Sequence, residues 1–148
     1  MRILVLSDNH LKGLKFNPSN YDAIIHAGDR GNASRALKDY KAFYVCGNCD
    51  ITGEKSLVFN LFNKKIFLTH GDLYNVKLSL NSLIYAAMEK ECDICIYGHT
   101  HIPDCFIEEG ILFLNPGAYK DGFYAIIGDE KIEIYLNGEV FRTINYRW

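Results

Sequence analysis

Asp8 and His10 stand two residues apart, as do His99 and His101, and between these pairs the chain carries Asp29, Asn48 and His70. Carboxylates, an amide and imidazoles are the ligand types of a divalent transition-metal site. Four of the five histidines belong to this set, a bias that random placement does not predict. In extended chain, residues i and i+2 project to one side, so each pair would reach a single cavity while Asn9 and Thr100 point away. Gly28, Gly47, Gly71 and Gly98 flank the candidate ligands and would let the backbone turn beneath a crowded site.

These residues share a second property: each follows a short apolar run. Ile3–Leu6, Ala23–Ile25, Ala42–Val45, Ile66–Leu68, Ile94–Tyr97 and Ile111–Leu114 each end in a polar, glycine- or asparagine-containing cluster. Such runs read as strands buried on both faces. Helices are expected over Ala33–Lys41 and from about Leu78 to Glu91, the latter with Leu80, Leu83, Ile84, Ala87 and Met88 on one face. Asn63-Lys64 marks a hairpin. Beyond Tyr119 the pattern is β throughout, with strands Phe123–Ile127, Lys131–Leu136 and Val140–Tyr146 separated by Gly128-Asp129 and Asn137-Gly138 turns. The pattern is that of a mixed α/β domain beginning with β-α units and ending in an antiparallel meander. In open α/β sheets the loops at the strands' carboxyl ends converge on one edge, which is where the candidate ligands stand.

The motifs Asp8-Asn9-His10, Gly28-Asp29, Gly47-Asn48-Cys49-Asp50, His70-Gly71 and Gly98-His99-Thr100-His101 resemble, in this order, the signature of the calcineurin-like metallophosphoesterases. The small size, the Gly-Asn-Cys-Asp form and the Asn115-Pro116-Gly117 loop are most similar to the compact bacterial and archaeal phosphodiesterases of that superfamily. The resemblance implies one domain over residues 1–148, an α/β fold in which two sheets pack as a sandwich flanked by helices in αββα layers. It assigns Asp8, His10 and His101 to one metal ion, Asn48, His70 and His99 to another, and Asp29 to both. It implies hydrolysis of a small or nucleotide-like phosphodiester by a metal-bridging hydroxide. Asp29, Asn48, His70 and Cys49 would be the residues at the reaction. Two divalent ions are the expected cofactors, Mn²⁺ first, with Fe²⁺, Zn²⁺, Ni²⁺ or Co²⁺ also suited to the ligand set. A phosphomonoesterase or protein phosphatase is the enzymatic alternative. The other is a protein-binding scaffold, because the fold also serves as a subunit of retromer.

The third position of the Gly-Asn-x motif departs from many of those relatives, which have histidine there as the acid for the leaving group. Cys49 is a poor substitute, since a thiol ordinarily titrates near 8.5. The proton would then come from water or Asp50, or be dispensable with a good leaving group, which favours activated or aryl-like diesters. Cys49 reads better as a thiol beside the ligands than as a ligand. Arg30 reads equally as a phosphate contact or a surface residue, His26 as a buried supporting histidine, and Tyr74 and Asn75 as weak candidates for the pocket wall. The stretch between His10 and Asp22 is short for a helix, with Pro18 breaking it, and its loss would open one side of the domain.

Composition sets the outer bounds. A length of 148 residues suits a single domain, and 49% hydrophobic residues with 14% aromatic exclude a disordered chain. A net charge of −2 gives no general attraction to nucleic acid or anionic lipid, so a polymeric nucleic-acid substrate is not expected and a phosphate ester must be attracted locally. No run approaches membrane length and the amino terminus does not read as an export signal, which sets a cytoplasmic expectation. Cys46/Cys49 and Cys92/Cys95 both read C-x-x-C, yet their separation and position at the ends of apolar runs favour buried apolar cysteines over a zinc knuckle. The β-rich tail offers edges through which copies of the chain could pair into a homo-oligomer.

Overall fold

The computed structural model describes residues 1–148 apart from the side chain of residue 34. The elements in chain order are β1 (Ile3–Leu6), β2 (Ala23–His26), α1 (Ala33–Leu37), β3 (Ala42–Tyr44), β4 (Ser56–Leu61), β5 (Lys64–Thr69) and α2 (Asn81–Glu89). There follow β6 (Ile94–Ile96), β7 (Asp104–Glu108), β8 (Ile111–Asn115), β9 (Phe123–Ile127), β10 (Lys131–Leu136) and β11 (Glu139–Asn145). One sheet has the order β11-β10-β9-β1-β2-β3 and the other β4-β5-β6-β8-β7.

Period-two alternation decides which side chain meets which layer. Ile3 and Val5 of β1 face the second sheet, meeting the cluster that holds Ile66, Leu68, Ile94, Ile96, Leu112 and Leu114. Leu4 and Leu6 point outward and pack with Leu37 of α1. In the second sheet Phe67, Cys95 and Phe113 face outward against Leu83 and Ala87 of α2. Both faces of the central strands are therefore covered, in αββα order, which is why their sequences are continuously apolar. Among the described residues no helix is long and apolar enough to cross a membrane.

Parallel register brings the ligand-bearing loops to one edge. Leu6 pairs with His26 and His26 with Tyr44 at the ends of β1, β2 and β3. Leu68 and Ile96 pair at the ends of β5 and β6, and Ile96 with Leu114 of β8. Six strands thus end level, and their next residues emerge on the same side of their sheets.

Several expected boundaries shift. β7 does not follow from the apolar pattern, because as an edge strand it is covered only towards its start: Cys105 is buried, whereas Ile107, two residues on and on the same face, is exposed. The hairpin turn after β4 is Phe62-Asn63 rather than Asn63-Lys64, both residues having positive φ. Helix α1 stops at Leu37, and Met88 of α2 lies exposed beside the packed Leu83 and Ala87. The stretch from His10 to Asp22 has no α-helix, as expected, but the side it leaves is partly filled. Leu14, Phe16 and Tyr21 pack there with Tyr119, Tyr124 and Tyr135, leaving a cavity of about 270 Å³.

Candidate metal centre

The loops that follow these strands are strained rather than extended. Asp8, His10, Asp29, His99 and His101 have φ of 53°, 49°, 53°, 70° and 63°, the left-handed region that L-residues avoid at about 1–2 kcal/mol each. This corrects the extended-chain reading of both i, i+2 pairs, although Asn9 and Thr100 do turn aside. Backbone hydrogen bonds hold the strained turns, from Asp8 N–H to Gly28 O (2.9 Å), His10 N–H to Asp29 O (2.9 Å) and Gly98 N–H to His70 O (2.9 Å). Strain of this kind clusters at active sites and ligand clamps in other proteins. Two glycines are required for space: a Cβ on Gly98 would collide with Ser7 Oγ and meet Asp8 Oδ2 at 2.6 Å, and one on Gly47 would collide with Asp29 Oδ1.

All seven candidate ligands come together. His101 Nε2 lies 3.2 Å from Asp8 Oδ1 and 3.4 Å from His10 Nε2. On the other side His70 Nε2 lies 3.0 Å from Asn48 Oδ1, 3.2 Å from His99 Nδ1 and 3.3 Å from Asp29 Oδ2. Asp29 Oδ2 is also 3.8 Å from His10 Nε2, so this one carboxylate faces both groups. Facing imidazole nitrogens repel unless a proton or cation lies between them. Asp8 Oδ1 adds a sharper observation: it is fully buried and accepts no hydrogen bond, while Oδ2 is used by Ser7 Oγ and His99 N–H. An unpaired buried carboxylate oxygen is costly, and converging nitrogen and oxygen lone pairs around it fit divalent cations.

Hydrogen bonds and neighbouring charges set the protonation states of these donors. His70 Nδ1 stands 2.7 Å from Ala27 O, which can only accept, so Nδ1 carries the proton and the Nε2 lone pair faces the other ligands. Burial opposes charging of His70, but the Asp29 and Asp8 carboxylates raise it above its ordinary value. Burial would raise Asp29, yet His70, the Cys49 N–H and His10 hold it well below the usual carboxylate range. Burial, His70 and Lys77 lower His99, which keeps it neutral. Cys49 Sγ lies within 4.8 Å of ligand atoms of His10 and Asp29, and local desolvation and the Asp29 charge push its thiol up.

Several supporting residues escaped the sequence reading, and others differ from it. Asp50 accepts from the backbone N–H groups of Arg30, Gly31 and Gly47 at 3.0, 3.2 and 2.9 Å, so it clamps two ligand loops together instead of standing free to deliver a proton. Buried Asn115 donates to Gly98 O and Thr100 Oγ1, bracing the His99–His101 loop. Arg30 is not a surface residue: it is buried, donates to Thr52 O, lies over the Tyr44 ring and lines a cavity with Cys49 and Asp50. Tyr74 packs edge-on to Phe67. Cys46, Cys92, Cys95 and Cys105 are buried, and no group of cysteines converges as a metal site among the described residues. No motif encodes such braces; they depend on where distant strands end.

His26 supports the loops from below. Its Nδ1 accepts the Gly28 N–H and its Nε2–H donates to Asn9 Oδ1 at 2.7 Å, while Asn9 Nδ2 donates to Lys12 O and Arg30 O. Burial, then the charges of Arg30 and His70, lower His26 from 6.5 to about 3. The unfolded chain therefore takes up a proton that the folded chain refuses between these values. The contribution of neutral His26 to stability is complete above about pH 6.5 and is lost as pH falls towards 3, at about 1.4 kcal/mol per pH unit. Urea titrations of metal-free protein should show this slope across pH 6 to 4, flattened in His26→Gln. Equal slopes would refute the assignment.

Comparison with known proteins agrees with this geometry. The model of the calcineurin-like phosphoesterase superfamily domain matches residues 1–126. YsnB of Bacillus subtilis, called a probable metallophosphoesterase, is 34% identical over 132 residues, spanning 81% of this chain and 76% of its own. A conserved protein of Streptococcus pneumoniae, described as a predicted phosphoesterase, has a crystal structure that superposes with a TM-score of 0.83 at 30% identity, covering 98% of this chain and 97% of that one. Vps29 of Entamoeba histolytica complexed with zinc shares the fold at a TM-score of 0.77 and 21% identity, over 98% of this chain and 99% of its own.

Proposed function

The chain belongs to the calcineurin-like phosphoesterase superfamily, and from that premise we propose that it is a phosphodiesterase acting on small or nucleotide-like diesters. The observation that carries the reading is the unpaired, buried Asp8 Oδ1, faced by nitrogens of His101, His10 and His70 at 3.2, 3.8 and 3.8 Å within the converging donor set. Asp8, His10 and His101 would hold one divalent ion, Asn48, His70 and His99 a second, and Asp29 would serve both. Mn²⁺ leads, with Fe²⁺, Zn²⁺, Ni²⁺ or Co²⁺ also suited to the donors. When bound, two such ions supply a water nucleophile active at neutral pH and positive charge for the phosphoryl oxygens.

The chain's own residues do the positioning. Ala27 O fixes the His70 tautomer, the Cys49 N–H orients Asp29 Oδ1 at 2.8 Å, and Asp50 locks the loops that bear Asp29 and Asn48 together. Cys49 is the exposed S–H at the rim, and no carboxyl group is free beside it to act as a better acid. These features favour diesters whose leaving groups depart without help. Residues 1–148 are taken as one domain, because β9, with β10 and β11 beyond it, extends the sheet through β1.

A second reading, a protein-binding scaffold, draws on one observation: Leu11 and Ile51, on the ligand-bearing loops, are each 99% exposed. One experiment separates the two. Purified protein should contain divalent metal and hydrolyse bis-p-nitrophenyl phosphate, lose turnover to chelator, and regain it with Mn²⁺. Absence of bound or restorable metal, or full activity in Asp29→Asn, would sink the enzyme reading.

A further inference from the structure

Two cavities meet at Cys49. One of about 180 Å³ is lined by the candidate ligands His10 and Asp29 together with Gly31, Cys49 and Asp50. The other, of about 340 Å³, shares Gly31, Cys49 and Asp50 with it and extends to Arg30, Ile51 and Thr52. Direct contacts tie this space to the donor cluster. The Cys49 N–H donates to Asp29 Oδ1 at 2.8 Å, and Cys49 Sγ lies within 4.8 Å of ligand atoms of His10 and Asp29. Arg30, in the wall of the larger cavity, is only 7% exposed, yet the ion pairs among the described residues leave it out. Of its side-chain nitrogens only Nη2 has a hydrogen bond among the described residues, to Thr52 O at 2.8 Å, and Nε is buried without a partner. Asp50, the acid of this wall, turns its carboxylate to the backbone N–H groups of Arg30, Gly31 and Gly47. What faces the guanidinium is the Tyr44 ring, its centre 5.0 Å away.

A buried cation without an anion is costly, and a guanidinium with most of its donors unspent is suited to pair with one. We propose that the space between Cys49 and Arg30 receives the departing arm of the diester, and that this arm carries an oxyanionic group of its own, paired with Arg30. The proposal rests on the diesterase reading and adds the chemistry of one arm. The planar fork of Arg30 matches two oxygens of a carboxylate or phosphate. The cavity itself falls within the size range of small-molecule sites, leaving room for the skeleton that joins this group to the ester. The charge also acts on the arm that needs it. As the oxygen of water bonds to phosphorus, the bond to the departing oxygen breaks with its electron pair, and the proton of the water passes to solvent. Negative charge therefore grows on the departing arm, at a rim with no free acid, and a fixed cation stabilises it there. Cys49 and Ile51 are exposed, so the released arm has an open way out.

The test compares methyl p-nitrophenyl phosphate with methyl 3-carboxy-4-nitrophenyl phosphate. Both retain a methyl arm and release a nitrophenolate, and only the second has a carboxylate on the departing arm. Metal-loaded wild-type protein should favour the carboxylated ester in kcat/KM by roughly tenfold, the worth of a hydrogen bond to a charged group. Calorimetry on metal-free protein should find the same preference for 3-carboxy-4-nitrophenol over p-nitrophenol. In Arg30→Met both ratios should fall to about one. They should fall likewise in Ile51→Asp, which sets a like charge at an exposed position of the same wall and spares the buried arginine. Ratios near one in the wild type, or unchanged in the folded variants, would overturn the inference while leaving the diesterase intact. Carboxylate preference in binding, lost in both variants but without turnover of any diester, would keep the anion site and sink the hydrolytic reading.

Discussion

Asp8→Asn should abolish phosphodiester hydrolysis and at the same time make the metal-free protein more stable. The substitution preserves shape. The remaining oxygen can still accept from Ser7 Oγ and the His99 N–H, as Asp8 Oδ2 does. The new amide N–H groups would take the place of Oδ1, which is buried, unpaired and surrounded by His101, His10 and His70 nitrogens at 3.2, 3.8 and 3.8 Å. Donors would thus replace an unsatisfied acceptor opposite imidazole lone pairs. Relieving such a group contributes about 1–3 kcal/mol, which in a chain of this length raises Tm by roughly 2–4 °C per kcal/mol. The same change removes an anionic ligand from one of the two candidate metal positions. Turnover of bis-p-nitrophenyl phosphate should fall by about 10²–10³-fold or more, the scale seen when one preorganised electrostatic group is lost. Thermal unfolding in chelator at about pH 8.5, where most imidazoles are neutral, and metal content after reconstitution check the two halves separately. A variant that is less stable without metal would show that Asp8 Oδ1 is satisfied within the protein, and the strongest reason for a cation there would disappear.

This trade of stability for function explains which parts of the molecule could be read from its sequence. The central strands were legible because burial on both faces leaves an unbroken apolar run, as in Ile3–Leu6 and Ile111–Leu114, each stopped by a polar residue at the strand's end, Ser7 and Asn115. The donor set was legible for a related reason: at a level sheet edge, whatever follows the strand faces a common space. The edge strand β7 was hidden, since its mixed sequence is buried only at Cys105 and its turn, Glu109-Gly110, lacks the usual asparagine or aspartate. The left-handed backbone of five candidate ligands was hidden too, because it is uncommon for any residue but glycine and the modest enrichment of Asp and His there is too weak to place it. Contacts among loops from different strands impose it there, such as the bond of His10 N–H to Asp29 O. Arg30 followed the same rule. Its burial could not be read from its neighbour Asp29, because the Thr52 O and Tyr44 ring that hold its side chain are reached only through the fold.

Cys49→His should change which leaving groups the protein can expel rather than how fast it expels good ones. Position 49 is exposed at the rim, its N–H held by Asp29 Oδ1 at 2.8 Å, so an imidazole can be built there without repacking. In the native chain local desolvation and the Asp29 charge push the thiol up, leaving an S–H that is protonated at neutral pH but mismatched to general acid catalysis. The carboxylates that act on the thiol would favour the protonated form of a histidine at the same position, giving an acid poised near neutrality. A p-nitrophenolate departs without a proton, so its release should change by less than about threefold, well below the effect of a general acid. An alkoxide requires one, and a positioned general acid is worth roughly 10²–10⁴-fold, so alkyl and nucleoside leaving groups should gain at least about 10². The decisive measurement is kcat/KM across a series of phosphodiesters of increasing leaving-group pKa. The native protein should show a steep decline and Cys49→His a shallow one, the two lines meeting at the most acidic phenols. Parallel lines would mean that the proton comes from elsewhere, with Cys49 no more than the side chain that keeps this rim open.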